Sequence, residues 1–531
     1  MEQENISRWV EQIAREFSFQ QKFVKAVADL LTEGSTIPFI SRYRKEMTGS
    51  MDEVMIANIR DRLEQLRELD KRRESIISSI EKQGKLTPQL MQAVVAATSL
   101  AELEDIYLPY KPKRKTRATA AREKGLEPLA QKIFGQEKFD LIALAETFIS
   151  AENGISNAEE ALTGARDIIA EWVSENQVTR KNIRELFWSQ GTIESKVMKG
   201  READGQKYKD YFEWKEPVSK TPSHRLLALR RGEKEGILAL DIYPPEEDAI
   251  ALIERQFIHE EHAASAQIRL AINDSYKRLI RPSLETEVRM ESKMKADEEA
   301  IRVFASNLKE LLLSAPLGQK NVLALDPGFR TGCKLVCLDR QGQLLHFETI
   351  YPNDPQRETA KSATVVKSLV GKYQIEAIAI GNGTAGRETE SFVKSIGLGN
   401  HVIVVMVNES GASVYSASEV AREEFPDKDV TVRGAVSIGR RLMDPLSELV
   451  KIDPKSIGVG QYQHDVDQTK LKQGLDDVVM SCVNSVGVEV NTASKELLSY
   501  VSGLSPALAR NIIEFRNQNG PFGVGSSLMK V

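Results

Sequence analysis

Hydrophobic side chains recur at helical spacing over the first 318 residues, with charged residues between them. In residues 57–83, isoleucine and leucine return every three or four positions, which places them on one face of an α-helix. The same periodicity covers residues 159–177, 246–275 and 283–314. We therefore predict a large helical N-terminal region over residues 1–318.

The periodic segment at residues 283–314 is unusually long and has few core positions per turn in its first half. Two interpretations remain open at this point. The segment is either a spacer helix that links two domains or a surface helix of one large helical domain.

The pattern changes at residue 319, where short apolar runs separated by turn residues replace the helical periodicity. Three strand-like runs come first, and the last two are joined by a hairpin-type turn. Helices and strands then alternate, which after three antiparallel strands is typical of a ribonuclease-H-like fold. The predicted strands are 321–325, 333–338, 344–350, 377–380 and 402–407, and the predicted helices are 355–372, 413–424 and 436–450.

These patterns predict a multidomain, mainly α protein. An α/β ribonuclease-H-like domain is expected over residues 319–453, after the helical N-terminal region. Short helices are expected over residues 454–531. Cys333 and Cys337 lie on one face of a predicted strand and are expected in its core.

Composition restricts the class of protein. Hydrophobic residues make up 41% and charged residues 28% of the 531 positions, as is usual for soluble globular domains. The formal net charge of −5 argues against coating nucleic acid through overall charge, so a binding surface has to be local. The three cysteines exclude a disulfide scaffold, and no secretion signal or membrane-spanning run stands out. We expect a cytoplasmic protein.

A cluster of cations follows Tyr110 and is opposed only by Glu123. Such a cluster suits a track of phosphates, because displaced counterions supply affinity without reading sequence. A solvated surface without a partner is the alternative. The cations are Lys111, Lys113, Arg114, Lys115, Arg117, Arg122 and Lys124.

A second candidate lies near the C-terminus, where a tight turn joins two short amphipathic helices. Gly503 allows a backbone shape that a side chain would obstruct, and Ser505 followed by Pro506 suits a helix start. Backbone amides at a helix start bind phosphate oxygens. We predict a helix-hairpin-helix contact through Gly503, Leu504, Ser505 and Arg510, although the commonest form has glycine in place of Ser505. A purely structural joint is the alternative.

A ribonuclease-H-like nuclease gathers carboxylates that hold two metal ions. Asp326 lies at the end of the first predicted strand, but Asn382 stands where the middle strand should supply an acid. Asp444, in the last predicted helix, is a candidate late acid. Arg440 and Arg441 lie one turn before it, where they would oppose a metal and suit a phosphate instead. We therefore expect Asp326 and Asp444 to be remnants, and no metal site and no catalysis.

Residues 381–386 match the dinucleotide-binding pattern G-x-G-x-x-G between a strand and a helix. The match lies on the fourth strand of its domain, and no acidic strand end follows about twenty residues later. No cofactor is predicted.

Six segments together resemble the bacterial Tex family of transcription accessory proteins, in order and nearly end to end. The resemblance implies a helix-turn-helix in the N-terminal region, a YqgF-type ribonuclease-H-like domain without an intact nuclease site, tandem helix-hairpin-helix motifs and a C-terminal OB-fold RNA-binding domain. It also implies RNA or DNA as partner. The segments are TIPFISRYRKE (36–46), LEDIYLPYKPKRKTRATAARE (103–123), PSHRLLALRRGEKEG (222–236), LALDPGFRTGCK (323–334), GNGTAGRETE (381–390) and VNESGASVYSASEVAREEFPD (407–427).

The sequence departs from this pattern at residue 531, where the second hairpin should begin. We expect a C-terminally truncated chain with weakened RNA binding. The leading hypothesis is a nucleic-acid-binding transcription accessory protein that recognises the phosphate backbone. The alternatives are a metal-dependent nuclease centred on Asp326 and a scaffold that docks on RNA polymerase or other transcription machinery.

Overall fold

The computed structural model describes residues 2–112, 115–523, 528 and 531, and the chain divides into two compact units. The split unit combines Met1–Arg60 with Glu299–Val531, and the central unit is Asp61–Glu298. These two units are defined by packing within the chain. The division into residues 1–318, 319–453 and 454–531, which the sequence predicted, stays a prediction. None of the described helices combines the length and the apolar character needed to cross a membrane.

The chain up to residue 190 is helical, as its periodicity predicted. The helix predicted over 57–83 is confirmed as α5, which begins four residues earlier. The helices are α1 (Glu2–Glu16), α2 (Gln21–Thr32), α3 (Ile37–Tyr43), α4 (Lys45–Thr48), α5 (Glu53–Lys82), α6 (Pro88–Ala96), α7 (Leu100–Tyr107), α8 (Arg117–Glu123), α9 (Glu127–Phe134), α10 (Leu141–Glu146), α11 (Ala158–Glu175) and α12 (Gln177–Gln190).

A three-stranded sheet follows, where sequence periodicity had predicted helix almost throughout. Its order is β2-β1-β3 and both pairings are antiparallel. In β1 only Ile193 and Ser195 are buried, so its alternation is short and carries a single large apolar residue. The elements of this stretch are β1 (Thr192–Val197), β2 (Glu213–Pro217), α13 (Ser223–Lys234) and β3 (Leu238–Tyr243).

Three more helices complete the central unit. The helix predicted over 246–275 is interrupted, because residues 258–262 leave helical geometry. The last helix starts in the central unit and continues into the split unit, in agreement with a linking helix. The three are α14 (Glu246–Phe257), α15 (Ala263–Ser275) and α16 (Arg281–Leu312), with a π-helical turn at Tyr276–Ile280 before α16.

The split unit contains the predicted ribonuclease-H-like sheet. Its order is β6-β5-β4-β7-β8, with β4, β5 and β6 antiparallel and with β7 and β8 parallel to β4. The strands are β4 (Val322–Asp326), β5 (Cys333–Leu338), β6 (Leu344–Ile350), β7 (Ala377–Gly381) and β8 (Ile403–Val407). The remaining helices are α17 (Thr359–Lys372), α18 (Gly386–Ser395), α19 (Ala412–Ala417), α20 (Glu419–Glu424), α21 (Val430–Met443), α22 (Pro445–Leu449), α23 (Gln468–Val486), α24 (Lys495–Ser499) and α25 (Pro506–Asn519).

Two apolar layers cover the two faces of this sheet. Cys333 and Cys337 are fully buried in the layer that also contains α17 and α18 side chains, which confirms their predicted place in the core. Val322 and Ala324 face the opposite layer, where α21 packs. Because side chains alternate along a strand, Asp326 lies on the α21 side of the sheet.

A buried ion-pair network holds α7 to α12 in the central unit. The Asp105 carboxylate accepts hydrogen bonds from Arg180 Nε at 2.5 Å and from Arg184 Nη2 at 2.8 Å. Arg184 also pairs with Glu287 of α16. Asp105 and Arg180 are about one-twentieth exposed, so neither charge has water to replace a lost partner.

Replacing Asp105 by alanine should destabilise the central unit strongly, because buried Arg180 and Arg184 would both lose this carboxylate and would share Glu287 alone. We expect the free energy of unfolding to fall by about 3–5 kcal/mol, measured by urea denaturation with tryptophan fluorescence. Glu104→Ala is the matched control, since Glu104 pairs with Arg72 at 2.6 Å in a solvent-exposed position. Its expected cost is under about 1 kcal/mol, and equal losses in the two variants would contradict the role of the network.

Candidate nucleic-acid interface

The basic segment 111–124 leads into and forms helix α8 of the central unit. Thr116 caps this helix by accepting a hydrogen bond from the Thr119 amide at 3.0 Å. The side chains of Lys111, Lys115 and Arg117 are exposed. Lys113 and Arg114 lie outside the described residues, so their predicted contact stays a prediction.

Arg122 does not belong to this exposed set. Its guanidinium donates to Glu171 Oε1 at 2.7 Å and lies 3.4 Å from Glu127. Glu171 is buried and also accepts from the Thr116 hydroxyl at 3.3 Å. The Arg122 side chain therefore joins α8 to α11, because a buried carboxylate requires a cation, and its predicted place in the phosphate track stays a prediction.

Lys115 and Lys124 keep their charge in contact with solvent. Lys115 pairs with Glu123 at 2.8 Å, but both side chains are more than half exposed, so water and salt screen the pair and it holds Lys115 weakly. Lys124 donates to the Gly154 carbonyl at 3.1 Å, and this acceptor is uncharged.

The helix-hairpin-helix segment has the predicted geometry at its turn. Gly503 adopts a φ of +89°, which a side chain would disfavour. The Ser505 hydroxyl accepts from the Leu508 amide at 3.1 Å, and Pro506 occupies the first position of α25. Leu504 is half-buried and Arg510 is exposed one turn into the helix.

The amides of this turn are available to a ligand. Leu508 and Ala509 donate to the side chain and carbonyl of Ser505. The amides of Gly503, Ser505 and Ala507, by contrast, donate to no described residue. They cluster at the start of a helix of fourteen residues, where the backbone dipole favours an anion.

Asn484, near the end of α23, anchors this turn. Sequence analysis did not identify this residue. Its amide nitrogen donates to the Tyr500 carbonyl at 2.9 Å, and its side-chain oxygen accepts from the Ser502 amide at 2.9 Å. Arg42 donates to the Asn484 carbonyl. No local pattern marks an asparagine 16 residues away as the clamp of a turn, so the contact becomes visible only in the fold.

Asp326 lies beside a second acid that sequence reasoning missed, Glu409, which follows β8. Burial first, and the nearby Glu409 carboxylate second, raise the pKa of Asp326 to about 6. The Glu409 amide donates to Asn382 Oδ1 at 3.2 Å. On the opposite side, a Cβ atom at Gly434 of α21 would lie 3.4 Å from Asp326 Oδ2, so α21 presents glycine where a third acid would have to stand.

Asp444, the candidate late acid, caps a helix, and the nearby acid Glu388 is exposed. The helix predicted over 436–450 ends at Met443 and restarts at Pro445. Asp444 lies between the two helices, exposed, and caps α22 by accepting from the Ser447 amide at 3.0 Å. Glu388 points to solvent from α18. Within the described ranges, no group of three or more histidine, cysteine or acidic side chains is arranged to hold a metal ion.

Arg440 and Arg441 both make contacts within the fold. Arg440 pairs with Glu424 at 2.6 Å and donates from Nε to the Gly342 carbonyl at 3.0 Å, and its predicted phosphate contact stays a prediction. Arg441 is 4% exposed. The exposed phosphate contact predicted for Arg441 is therefore corrected, because its side chain is enclosed by the fold.

The first two glycines of the G-x-G-x-x-G segment are explained by packing rather than by nucleotide binding. A side chain at Gly381 or Gly383 would overlap the Glu409 carboxylate. Glycine is therefore required by a neighbouring acid, and that negative charge opposes a pyrophosphate at the same place.

The raised pKa of Asp326 predicts pH-dependent stability. Ionised Asp326 costs free energy in the folded state, and this cost appears as pH rises from about 4 to above 6. Asp326→Asn should therefore stabilise the split unit near pH 8 by roughly 1–2 kcal/mol after solvent screening, and should have no such effect near pH 4, where the native carboxyl is neutral. Denaturation at both pH values tests this, with exposed Glu388→Gln as control. A gain that is the same at both pH values would contradict the assignment.

Comparison with known proteins agrees with this architecture along the chain. Residues 7–81 match the Tex-like protein N-terminal domain, and residues 137–304 match the Tex central region-like model. Residues 320–443 match the Tex protein YqgF-like domain, and residues 483–531 match a helix-hairpin-helix motif. The candidate loop at Gly503 lies within the last of these.

Named relatives are similar to this chain over nearly its whole length. The chain is 46% identical to Protein tex of Bordetella pertussis over 99% of its own length and 68% of that protein. It is 44% identical to the transcriptional accessory protein Tex of Neisseria gonorrhoeae, over 98% of the chain and 69% of that protein. It is 36% identical to human S1 RNA-binding domain-containing protein 1, over 94% of the chain and 52% of that protein. The chain therefore belongs to the Tex family, whose YqgF-like and helix-hairpin-helix domains support nucleic-acid binding.

Proposed function

We propose that this protein binds RNA or DNA through the sugar–phosphate backbone, with little preference for sequence, and does not cut it. The observation that carries the proposal is the turn at residues 503–507, before and at the start of α25, where three backbone amides donate to no described residue. Such amides recognise phosphate oxygens, which every nucleotide shares. Arg510 adds a positive charge one turn further along.

The basic segment supplies a second phosphate contact in this proposal. Lys111, Lys115 and Arg117 are exposed in the central unit, and the undescribed Lys113 and Arg114 belong to the same run. Since the whole chain carries a net charge of −5, these local cations must supply the electrostatic attraction. Arg122, Arg440 and Arg441 are not part of the proposed interface.

The first test is the salt dependence of binding to single- and double-stranded oligonucleotides of unrelated sequence. We expect affinity to fall steeply between low and moderate salt and to differ little between sequences. Lys111→Glu with Lys115→Glu, and separately Arg510→Glu, should weaken binding about tenfold or more on every sequence, because each reverses charge at a phosphate contact.

Lys132→Glu with Lys138→Glu is the matched control. Both lysines are exposed in the same unit, and the double variant changes the net charge equally, so it should bind almost as the native protein does. An affinity that does not change with salt concentration would contradict the proposal. Loss of binding to one sequence alone would contradict it as well.

Absence of cleavage is the second part of the proposal. Asp326 and Glu409 form a pair, and Gly434 and Asn382 stand where further acids would be needed. Two acids provide too few ligands for the two ions of a ribonuclease-H-like reaction.

Labelled branched and single-stranded substrates incubated with Mg²⁺ or Mn²⁺ should remain intact at protein concentrations that saturate binding. Asp326→Asn should bind them as tightly as the native protein. Cleavage that disappears in Asp326→Asn would establish the nuclease alternative.

Association with RNA polymerase or other transcription machinery is also proposed, from the Tex family and from the printed description of the Neisseria relative as a transcriptional accessory protein. A nucleic acid held by both proteins would account for such an association without a direct protein contact.

A further inference from the structure

A cavity of about 170 Å³ lies beside β8, the edge strand of the ribonuclease-H-like sheet, within the split unit. Its wall is mostly apolar, with Leu311, Val405, Leu449 and Ile457 among the lining side chains. One cation, Arg441, lies in this wall. An apolar cavity with a single buried charge is a specific chemical environment, because burying a charge is costly unless it is paired.

The hydrogen bonds of Arg441 use only part of its guanidinium. Nη1 donates to the carbonyls of Asn408 at 3.0 Å and Ser410 at 2.7 Å. Nε is buried without a partner, and Nη2 donates to no described residue. Nε is also enclosed from solvent, so Nη2 is the nitrogen left to donate a charge-assisted hydrogen bond to a carboxylate.

No described carboxylate lies within ion-pair distance of Arg441. Glu409 and Glu448 act on it only from further away, and burial lowers its pKa. Glu448 itself pairs with Lys451 at 2.8 Å.

Arg433, in the same helix, shows how this fold satisfies a buried arginine by itself. It is 7% exposed and makes no ion pair, like Arg441. Its Nε and Nη2 both donate to the Phe425 carbonyl, at 3.1 and 2.8 Å, and Nη1 approaches the Ser416 carbonyl at 3.4 Å. All three nitrogens of Arg433 therefore have acceptors, whereas two nitrogens of Arg441 have none.

We infer that this cavity binds a small hydrophobic carboxylate, with its acid group on Nη2 of Arg441 and its apolar body against the β8 wall. The volume agrees with this class, because an apolar cavity of about 150 Å³ accommodates benzene. Inorganic phosphate fits poorly, since it needs several donors and the wall offers few. The inference is independent of nucleic-acid binding.

A free organic acid and the C-terminal residue of a polypeptide share this chemistry. Both present a carboxylate on a compact apolar group, and β8 has an open edge along which a peptide backbone can pair. The probes are therefore para-fluorobenzoate, its neutral analogue para-fluorobenzyl alcohol, and a pentapeptide ending in leucine with a free or an amidated C-terminus.

Fluorine NMR titration of the full chain tests the inference. We expect para-fluorobenzoate to bind and the alcohol to bind at least about tenfold more weakly, since a charge-assisted hydrogen bond is lost. Arg441→Met should weaken para-fluorobenzoate binding by a similar factor. Displacement by the free peptide but not by the amidated one identifies a polypeptide terminus as the source, and displacement by neither identifies a free acid.

A second variant keeps the test valid if Arg441→Met perturbs the fold. Ala315→Trp should block the cavity from its exposed rim and abolish binding, because Ala315 lines the cavity and its side chain is exposed. Leu313→Trp is the matched control, since Leu313 is an exposed neighbour outside the lining. Failure of the acid to bind the native chain would overturn the inference, and so would equal binding of acid and alcohol, or unchanged binding in Ala315→Trp.

Discussion

A guanidinium group that leaves water must find acceptors, and this requirement sorts the arginines of the protein into two groups. Arg180 and Arg184 converge on Asp105, Arg122 meets buried Glu171, and Arg440 meets Glu424. These side chains join helices and loops. Cations that the fold does not use in this way remain in solvent, and a phosphate chain can recruit only those. The candidate interface therefore consists of the cations that form no strong ion pair within the protein.

The same electrostatic rule explains the ribonuclease-H-like site. Burial, and after it the nearby Glu409 carboxylate, raises the free energy of ionised Asp326, and the described residues include no group of three or more side chains arranged to hold a metal ion. The helix facing Asp326 brings glycine at position 434, and the neighbouring strand ends in Gly381 and Asn382. The glycines and Asn382 thus leave Asp326 with Glu409 as its neighbouring acid among the described residues.

Recognition through main-chain amides depends on how a turn is held. Gly503 supplies the left-handed backbone and Ser505 supplies the cap, but Asn484 fixes the turn from a helix elsewhere in the chain. An amide can serve a ligand only if its own structure leaves it unbonded, and the turn does this at three positions. Backbone geometry thus contributes as much to the candidate site as side-chain charge does.

The sequence by itself determined the helical first region, the chain order of the ribonuclease-H-like strands, and the hairpin turn with its cap. These follow from local periodicity, turn chemistry and residue type, which act over a few positions. Tertiary structure alone decided that Arg122 pairs with buried Glu171, that Arg441 is buried, that Asp444 is a cap, that residues 192–243 contain a sheet, and that Glu409 joins Asp326. Each of these depends on a partner distant in the chain, and local spacing cannot specify which charge will meet which.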